Sequence, residues 1–127
     1  MPSTSTIDQV GAALFGAIER SDTAAIAALL DDDVAVWHAG DRRDNDRARA
    51  LRVIEWFINS TIERSYEILD RQLFETGFVQ QHILRATGIA GAVISLRVCI
   101  VIKVGDSGLI TRIDEYFDPA DMAALMT

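Results

Sequence analysis

The stretch "GAVISLRVCIVIKV", Gly91 to Val104, alternates apolar and polar residues over most of its length. Its even-numbered residues, from 92 to 104, are all apolar, whereas the odd-numbered residues include Arg97 and Lys103. Successive side chains of a strand point to opposite faces of the sheet. The spacing therefore predicts a long strand with one face that other elements must cover.

The segments around this stretch predict three further strands. They are separated from one another by Gly77, by the glycines at 88 and 91, and by "GDSG" at 105–108. Such short, glycine-containing connections favour an antiparallel meander. The predicted strands are "SYEILDRQLFE" (65–75), "GFVQQHILRAT" (77–87) and "GLITRIDEYFD" (108–118).

The first half of the chain is mainly helical in pattern. Thr6 with Gln9 resembles a capping box that opens a helix ending near Arg20. The remaining predicted elements are the helix "TAAIAALL" (23–30), the strand "VAVWH" (34–38), the helix "RALRVIEWFINSTI" (49–62) and a short terminal helix "ADMAALM" (120–126). We predict one α+β domain over residues 1–127, with a curved antiparallel sheet packed on three helices of the N-terminal half and a flexible tail at 1–5.

Composition excludes several classes of function. The chain has 127 residues with 12 basic and 19 acidic side chains, a formal net charge of -7, so nucleic acid and anionic membranes are not expected partners. The one cysteine, Cys99, lies in an apolar run and predicts a buried thiol without a disulfide. No leader pattern or membrane-spanning run is present, so we expect a cytoplasmic protein. The mixed charge run at 41–49 predicts a solvated loop or a mobile lid beside a pocket.

The last strand carries an acidic residue on its apolar face. Its odd positions are Leu109, Thr111, Ile113, Glu115 and Phe117. Burial of an ionised carboxylate without a partner is costly and raises its pKa. Glu115 is therefore a candidate general acid or base. The alternatives are an ion pair with Arg85 or Arg97, or a strand end that reaches solvent.

Both histidines of the chain lie where they could face the same concavity. His38 continues the apolar parity of Val34 and Val36, and His82 lies in mid-strand among uncharged residues. Either could be a core residue, but a histidine beside a carboxylate such as Glu115 has a fixed tautomer and greater basicity. The same three side chains could form a facial triad for iron. They lie on separate strands without metal-ligand spacing, so we expect no metal.

The order of elements resembles the nuclear transport factor 2-like superfamily, which includes ketosteroid isomerases, limonene epoxide hydrolases and SnoaL-like polyketide cyclases. The segments that carry the resemblance are "DDDVAVWH" (31–38), "GFVQQHILRATG" (77–88) and "GLITRIDEYFDPADM" (108–122). The resemblance covers nearly the whole chain. It implies a cone-shaped fold, in which the sheet and helices enclose a deep apolar pocket, and a homodimer formed through the outer face of the sheet.

The resemblance also assigns site residues. The proton-shuttling aspartate of ketosteroid isomerases falls on His38, and their two oxyanion donors fall on Leu14 and Ile100. The catalytic aspartate of limonene epoxide hydrolases falls on Glu115, and the arginine of the neighbouring strand falls on His82. The chain is therefore similar to a SnoaL-like protein with its own set of polar residues in an apolar pocket.

We accordingly expect an enzyme without a cofactor that acts on a small apolar molecule by general acid-base chemistry, as an isomerase, a cyclase or an epoxide hydrolase. His38 would be the general base, Glu115 its orienting carboxylate or the acid partner, and His82 a donor to a developing oxyanion. The expected pocket wall consists of Leu14, Trp37, Trp56, Val98, Ile100, Ile113 and Phe117. The alternative is a non-catalytic module of the same fold that binds a small ligand or dimerises.

Overall fold

The computed structural model describes residues 2–126 and confirms the predicted α+β fold class. The elements are α1 (Thr4–Glu19), α2 (Thr23–Leu29), β1 (Leu30–His38), α3 (Arg47–Asn59), β2 (Thr61–Phe74), β3 (Gly77–Gly88), β4 (Val93–Val104), β5 (Ile110–Tyr116) and a C-terminal 3₁₀ helix (Pro119–Leu125). None of the helices within residues 2–126 is long and apolar enough to cross a membrane.

Helix α1 begins earlier than the sequence predicts. Its cap is Ser3, whose Oγ accepts a hydrogen bond from the backbone N of Thr6 at 3.0 Å, so Thr6 is not the cap. Thr4 and Ser5, predicted as tail, are therefore helical. Met1, also part of the predicted tail, lies outside the described residues.

The five strands form one curved sheet in the order β1-β5-β4-β3-β2. Strands β2 to β5 make the predicted antiparallel meander. Strand β1 joins the edge parallel to β5, in a register that places His38 directly opposite Glu115. This pairing brings two distant parts of the sequence to one end of the sheet.

Two element boundaries differ from the prediction. Strand β1 begins at Leu30 instead of Val34 and includes the three aspartates at 31–33, so α2 ends at Leu29. Helix α3 ends at Asn59, because Thr61 already pairs in β2 and its Oγ1 donates to the carbonyl of Phe57 at 2.8 Å. Ile62, which the prediction included in this helix, is instead 68% exposed on the edge strand.

A bulge in β5 changes which of its residues face the helices. Val104 pairs with Ile110 and Lys103 with Arg112, so Thr111 is the extra residue. Ile110 is consequently buried, and the predicted inward position of Leu109 is wrong. Ile113 and Glu115 face inward beyond the bulge, because one inserted residue exchanges the two faces of a strand.

The core lies between the inner face of the sheet and α1. The predicted apolar face of β4 is buried, and α1 supplies most of the cover. The buried residues are Ile94, Leu96, Val98, Ile100, Ile102 and Val104 on β4, and Ile7, Val10, Leu14, Phe15, Ala17 and Ile18 on α1. Each Å² of apolar surface buried at this interface contributes roughly 25 cal/mol to the stability of the fold.

A buried arginine ties the helices to the sheet. Arg64 on β2 is 6% exposed, and its Nε donates to the carbonyl of Ile18 at 3.0 Å. Its other nitrogens donate to Thr61 Oγ1 at 2.6 Å, to the carbonyl of Ile58 at 3.3 Å and to Ser21 Oγ. Ser21 has a φ of 63°, which a residue with a Cβ rarely adopts. Arg64 therefore supplies donors to the last carbonyls of α1 and α3 and holds the turn between α1 and α2.

The outer face of the sheet carries the odd-numbered residues of β4. Cys99 is half-buried there, opposite Tyr116 of β5, so the predicted fully buried thiol is wrong. The helices cover only the even-numbered face. The homodimer expected on the outer face stays a prediction.

Candidate active site

A cavity of about 430 Å³ lies between the inner face of the sheet, α1, α3 and the C-terminal 3₁₀ helix. Its wall is mostly apolar, which suits a small apolar ligand. Four side chains with ionisable groups line it, namely His38, Asp41, Tyr66 and Glu115. His38 and Asp41 are separated by a tight turn, whereas Tyr66 and Glu115 come from distant parts of the sequence.

The turn after β1 places Asp41 beside His38. Asp41 N donates to the carbonyl of His38 at 2.9 Å, and Gly40 has a φ of 95° at the third position of this turn. A positive φ at that position favours glycine. Asp41 Oδ2 then lies 3.1 Å from His38 Nδ1 and accepts from His38 N at 3.0 Å and from Asn45 Nδ2 at 2.8 Å. Asn45 is itself fixed, since it also donates to the carbonyl of Val36 at 2.9 Å.

These contacts define which nitrogen of His38 is free. Burial acts to raise the pKa of the Asp41 carboxyl, but the hydrogen bonds from His38 and Asn45 and the charge of the imidazole together bring that pKa below its usual value. An ionised Asp41 can only accept hydrogen bonds, so Nδ1 of His38 carries the proton. The lone pair of the neutral imidazole is then on Nε2, which is the arrangement of a general base.

Glu115 lies next to His38 on the inner face. It pairs with His38 on one side and with Ile100 on the other, on strands about 4.8 Å apart. Burial raises the pKa of the Glu115 carboxyl, and the nearby His38 opposes that shift only in part. Within residues 2–126, no side chain or backbone donor is hydrogen-bonded to this carboxyl group. Glu115 therefore lies in the cavity as a group that retains its proton to a higher pH than an ordinary glutamate.

The predicted ion-pair alternative for Glu115 is wrong. Arg85 lies on the outer face and binds Glu67 at 2.7 Å. Arg97 is exposed on the same outer face of β4, where it pairs in register with Ile83. Neither arginine reaches the cavity, so the burial of Glu115 is not compensated by a cation from these strands.

Tyr66 is a polar wall residue that the sequence interpretation missed. It faces inward from β2, and its ring packs at 4.9 Å on Phe15 and at 5.0 Å on His82. Burial raises the pKa of the phenol, with further contributions from the charges of Glu115 and Glu19, so Tyr66 stays protonated. Its hydroxyl has no hydrogen-bond partner in the described part of the chain. The sequence pattern that could have identified Tyr66 is its spacing of two residues from Arg64, which places both side chains on the inner face of β2.

His82 does not line the cavity, contrary to its predicted role as an oxyanion donor. It is fully buried, and the rings of Phe15 and Tyr66 lie between it and the space where a ligand would bind. Strand parity predicts which face a residue occupies but not how far it lies from the cavity. The facial triad of His38, His82 and Glu115 therefore does not form, and no cluster of three potential ligands for a metal occurs within residues 2–126.

A chain of hydrogen bonds fixes the tautomer of His82. Arg71, which is bound to Asp8 at 2.9 Å, donates from Nε to Gln80 Oε1 at 2.7 Å. The amide nitrogen of Gln80 therefore faces His82 Nδ1, 2.8 Å away, and donates to it. The proton of neutral His82 must be on Nε2, for which no partner is present among the described residues. Burial and the charge of Arg71 lower the pKa of His82 to about 4.

Protonation of His82 is expected to destabilise the protein in acid. The pKa of His82 falls from 6.5 to about 4 on folding, so the unfolded chain binds more protons below pH 6.5. Titration of His82 does not reduce the stability of the protein above pH 6.5, but it lowers the free energy of unfolding by about 3 kcal/mol by pH 4. Urea unfolding of the wild type and of His82→Gln between pH 4 and 7 should show a shallower pH dependence for the variant. Parallel curves would contradict this assignment, because the carboxyl groups common to both proteins would then explain all of the slope.

Five of the seven predicted wall residues line the cavity, namely Leu14, Trp56, Ile100, Ile113 and Phe117. Trp37 does not, because its odd position in β1 directs it to the outer face, where it packs on Tyr116 at 5.2 Å. Its indole Nε1 donates to the carbonyl of Asp41 at 2.9 Å, which supports the turn from outside. Val98 does not line the cavity either, since it pairs in register with His82 in the deeper core.

Comparison with known protein families agrees with this architecture. Residues 12–113 match the model of the SnoaL-like domain, which is more than half of the chain. The chain belongs to the SnoaL-like domain family. No curated protein is significantly similar to it in sequence.

Solved structures share the fold of this SnoaL-like chain at low sequence identity. PrhC from Penicillium brasilianum NBRC 6234 has a TM-score of 0.84 and 16% identity, covering 96% of this chain and 86% of that one. An LEH-like epoxide hydrolase from M. tuberculosis has a TM-score of 0.80 and 21% identity, covering 98% and 91%. A Delta 5-3-ketosteroid isomerase from Mycobacterium sp. has a TM-score of 0.77 and 18% identity, covering 91% and 95%. These similarities establish the fold, and the fold hosts more than one activity.

Proposed function

We propose that this SnoaL-like protein is an enzyme that moves a proton on a small, mainly apolar molecule without a cofactor. The observation that supports this proposal is the pairing of His38, whose Nδ1 is held by Asp41, with the neighbouring Glu115 at the wall of one apolar cavity. With Nδ1 bound to Asp41, the neutral imidazole of His38 would present its lone pair on Nε2, and burial keeps the proton on Glu115 to a higher pH than on an ordinary glutamate.

The same groups can serve two related reactions. In an isomerisation or cyclisation, His38 Nε2 takes a proton from the carbon next to a carbonyl and returns it elsewhere on the substrate. Glu115 and the hydroxyl of Tyr66 then donate hydrogen bonds to the enolate oxygen while it carries negative charge. In an epoxide opening, His38 takes a proton from the attacking water and Glu115 gives its proton to the epoxide oxygen, so that one water is added overall. The isomerase and the epoxide hydrolase among the structural neighbours support both reaction classes.

A substrate panel tests this proposal. Apolar cyclic ketones are incubated with the protein in D₂O and followed by mass spectrometry, and apolar epoxides are followed for diol formation. Deuterium uptake or diol formation that is lost in His38→Ala supports the enzyme. Ligands that bind in the cavity and exclude each other, but that never exchange or react, would instead support the non-catalytic binding module of the same fold.

Glu115→Gln is expected to raise stability at neutral pH while it lowers turnover. Folding raises the pKa of Glu115. Its contribution to the free energy of unfolding is therefore fully present below the pKa of the unfolded chain and is lost as the pH rises through the pKa of the folded protein. Glutamine carries no charge to bury, so we expect the free energy of unfolding to increase by about 1 kcal/mol at pH 7.5. Loss of the acid should reduce kcat about tenfold to a hundredfold. Urea unfolding at pH 4 and pH 7.5 provides the check, since the gain should appear only at the higher pH.

A further inference from the structure

A shallow depression lies beside the mouth of the cavity on α3. Its walls are Arg49, Arg52, Val53 and Trp56, and its volume is about 330 Å³. The four residues are spaced three, four and seven positions apart and so lie on one face of the helix. Val53 and Trp56 also line the main cavity, so the depression and the cavity share these two side chains.

The two arginines of this depression are not neutralised by the protein. Within residues 2–126, the guanidinium groups of Arg49 and Arg52 have no ion pair and no hydrogen bond. Glu55 follows Arg52 by three positions on α3 but forms no ion pair with it. By contrast, Arg85 and Arg112 are paired with carboxylates at 2.7 to 2.9 Å. A chain with a formal net charge of -7 therefore leaves two neighbouring cations unpaired beside Val53 and Trp56, which also line the cavity.

Arg49 lies in the first turn of α3, which begins at Arg47 and is capped by Asp46. The Asp46 carboxylate accepts a hydrogen bond from the backbone N of Arg49 at 2.9 Å and so compensates the helix dipole at this end. The guanidinium groups of Arg49 and Arg52 take no part in this cap, so both can act on an anion bound at this face of α3.

We propose that Arg49 and Arg52 bind a carboxylate group of a ligand whose apolar body fills the cavity. This inference rests on the proposed function, because it uses the same cavity, and it names the class of substrate as an apolar molecule with one acidic end. Guanidinium groups bind carboxylates through paired hydrogen bonds. At α3 a carboxylate keeps its contact with water and meets two cations, whereas the mostly apolar cavity would remove that water, so the acidic end stays at α3. The ligand therefore enters with its apolar end first, toward β1 and β5.

Calorimetric titration with decanoate and with 1-decanol at pH 7.5 and low ionic strength tests the inference. The two probes have the same apolar chain and differ in the charged group. We expect the wild type to bind decanoate about fivefold to tenfold more tightly than 1-decanol, with a preference that decreases as salt is added. In Arg49→Gln/Arg52→Gln the affinity for decanoate should fall about fivefold to tenfold, while the affinity for 1-decanol changes less than twofold.

The control is Arg97→Gln/Lys103→Gln, which removes the same charge from exposed positions on the outer face of the sheet. It should keep the preference for decanoate. If the wild type binds both probes equally, or the α3 variant retains its preference, the inference is wrong and the cavity still binds apolar molecules as proposed. If neither probe binds the wild type, both the inference and the apolar binding cavity fail. If the affinities for both probes fall equally in an α3 variant with wild-type thermal stability, the arginines maintain the shape of the cavity and do not bind the carboxylate.

Discussion

His38→Ala is expected to lower kcat about a hundredfold or more on any substrate that the cavity turns over, since general bases contribute about 10²- to 10⁴-fold. Alanine removes the only imidazole that lines the cavity in the described part of the chain. His82 cannot replace it, because the rings of Phe15 and Tyr66 separate it from the ligand. The KM should change little if the ligand is held by the apolar wall. Turnover within threefold of the wild type would exclude His38 as the base.

Asp41→Asn tests whether Asp41 contributes to turnover by orienting His38, the proposed general base. Asparagine retains the shape of the turn but cannot act as an ionised acceptor for His38 N, His38 Nδ1 and Asn45 together. The tautomer of His38 is then no longer fixed, so kcat should fall about tenfold. The matched control is Asp33→Asn, the same substitution at an exposed site on β1, which should leave kcat unchanged. Nitrogen-15 NMR of the His38 ring shows directly whether Nδ1 carries the proton in the wild type.

The sequence could predict the inner face of each strand but not the neighbours of each side chain. His38 and Glu115 were found because both occupy the apolar parity of a strand, which is a local pattern. Their adjacency depends on the parallel pairing of β1 with β5, two strands separated by most of the chain. Parity also placed His82 on the correct face, although depth in the core depends on Phe15 and Tyr66 from other elements.

Two residues of the site were missed for opposite reasons. Asp41 lies in a run of mixed charge that is typical of a solvated loop, and its role follows from a local turn with Gly40 at positive φ. Tyr66 lies in an exposed edge strand, where apolar and polar residues do not alternate regularly. Its inward direction follows only from its position two residues after the buried Arg64. The bulge at Thr111 had no signal in the sequence, since the polar residue it inserts fits either face.

Arg64→Met is expected to destabilise the protein by about 1.5–3 kcal/mol, the contribution typical of buried hydrogen bonds to a charged group. Methionine fills much of the same volume but donates no hydrogen bond, so the hydroxyl of Thr61 loses its donor and the carbonyls of Ile18 and Ile58 each lose one of their donors in the core. The turn at Ser21 also loses the bond that holds its unfavourable φ. Urea unfolding at pH 7 measures the loss.

Two further variants identify the cause of that loss. Arg64→Lys retains the charge but cannot reach carbonyls in both α1 and α3 with a planar fork, so it should recover only part of the stability. Arg85→Met removes an exposed arginine of the outer face, with its ion pair to Glu67, and should cost less than about 1 kcal/mol. If Arg64→Met and Arg85→Met cost the same, the helix ends must be satisfied without Arg64, and the arginine would not join the helices to the sheet. If Arg64→Lys is as stable as the wild type, the positive charge alone is sufficient and the fork geometry is not required.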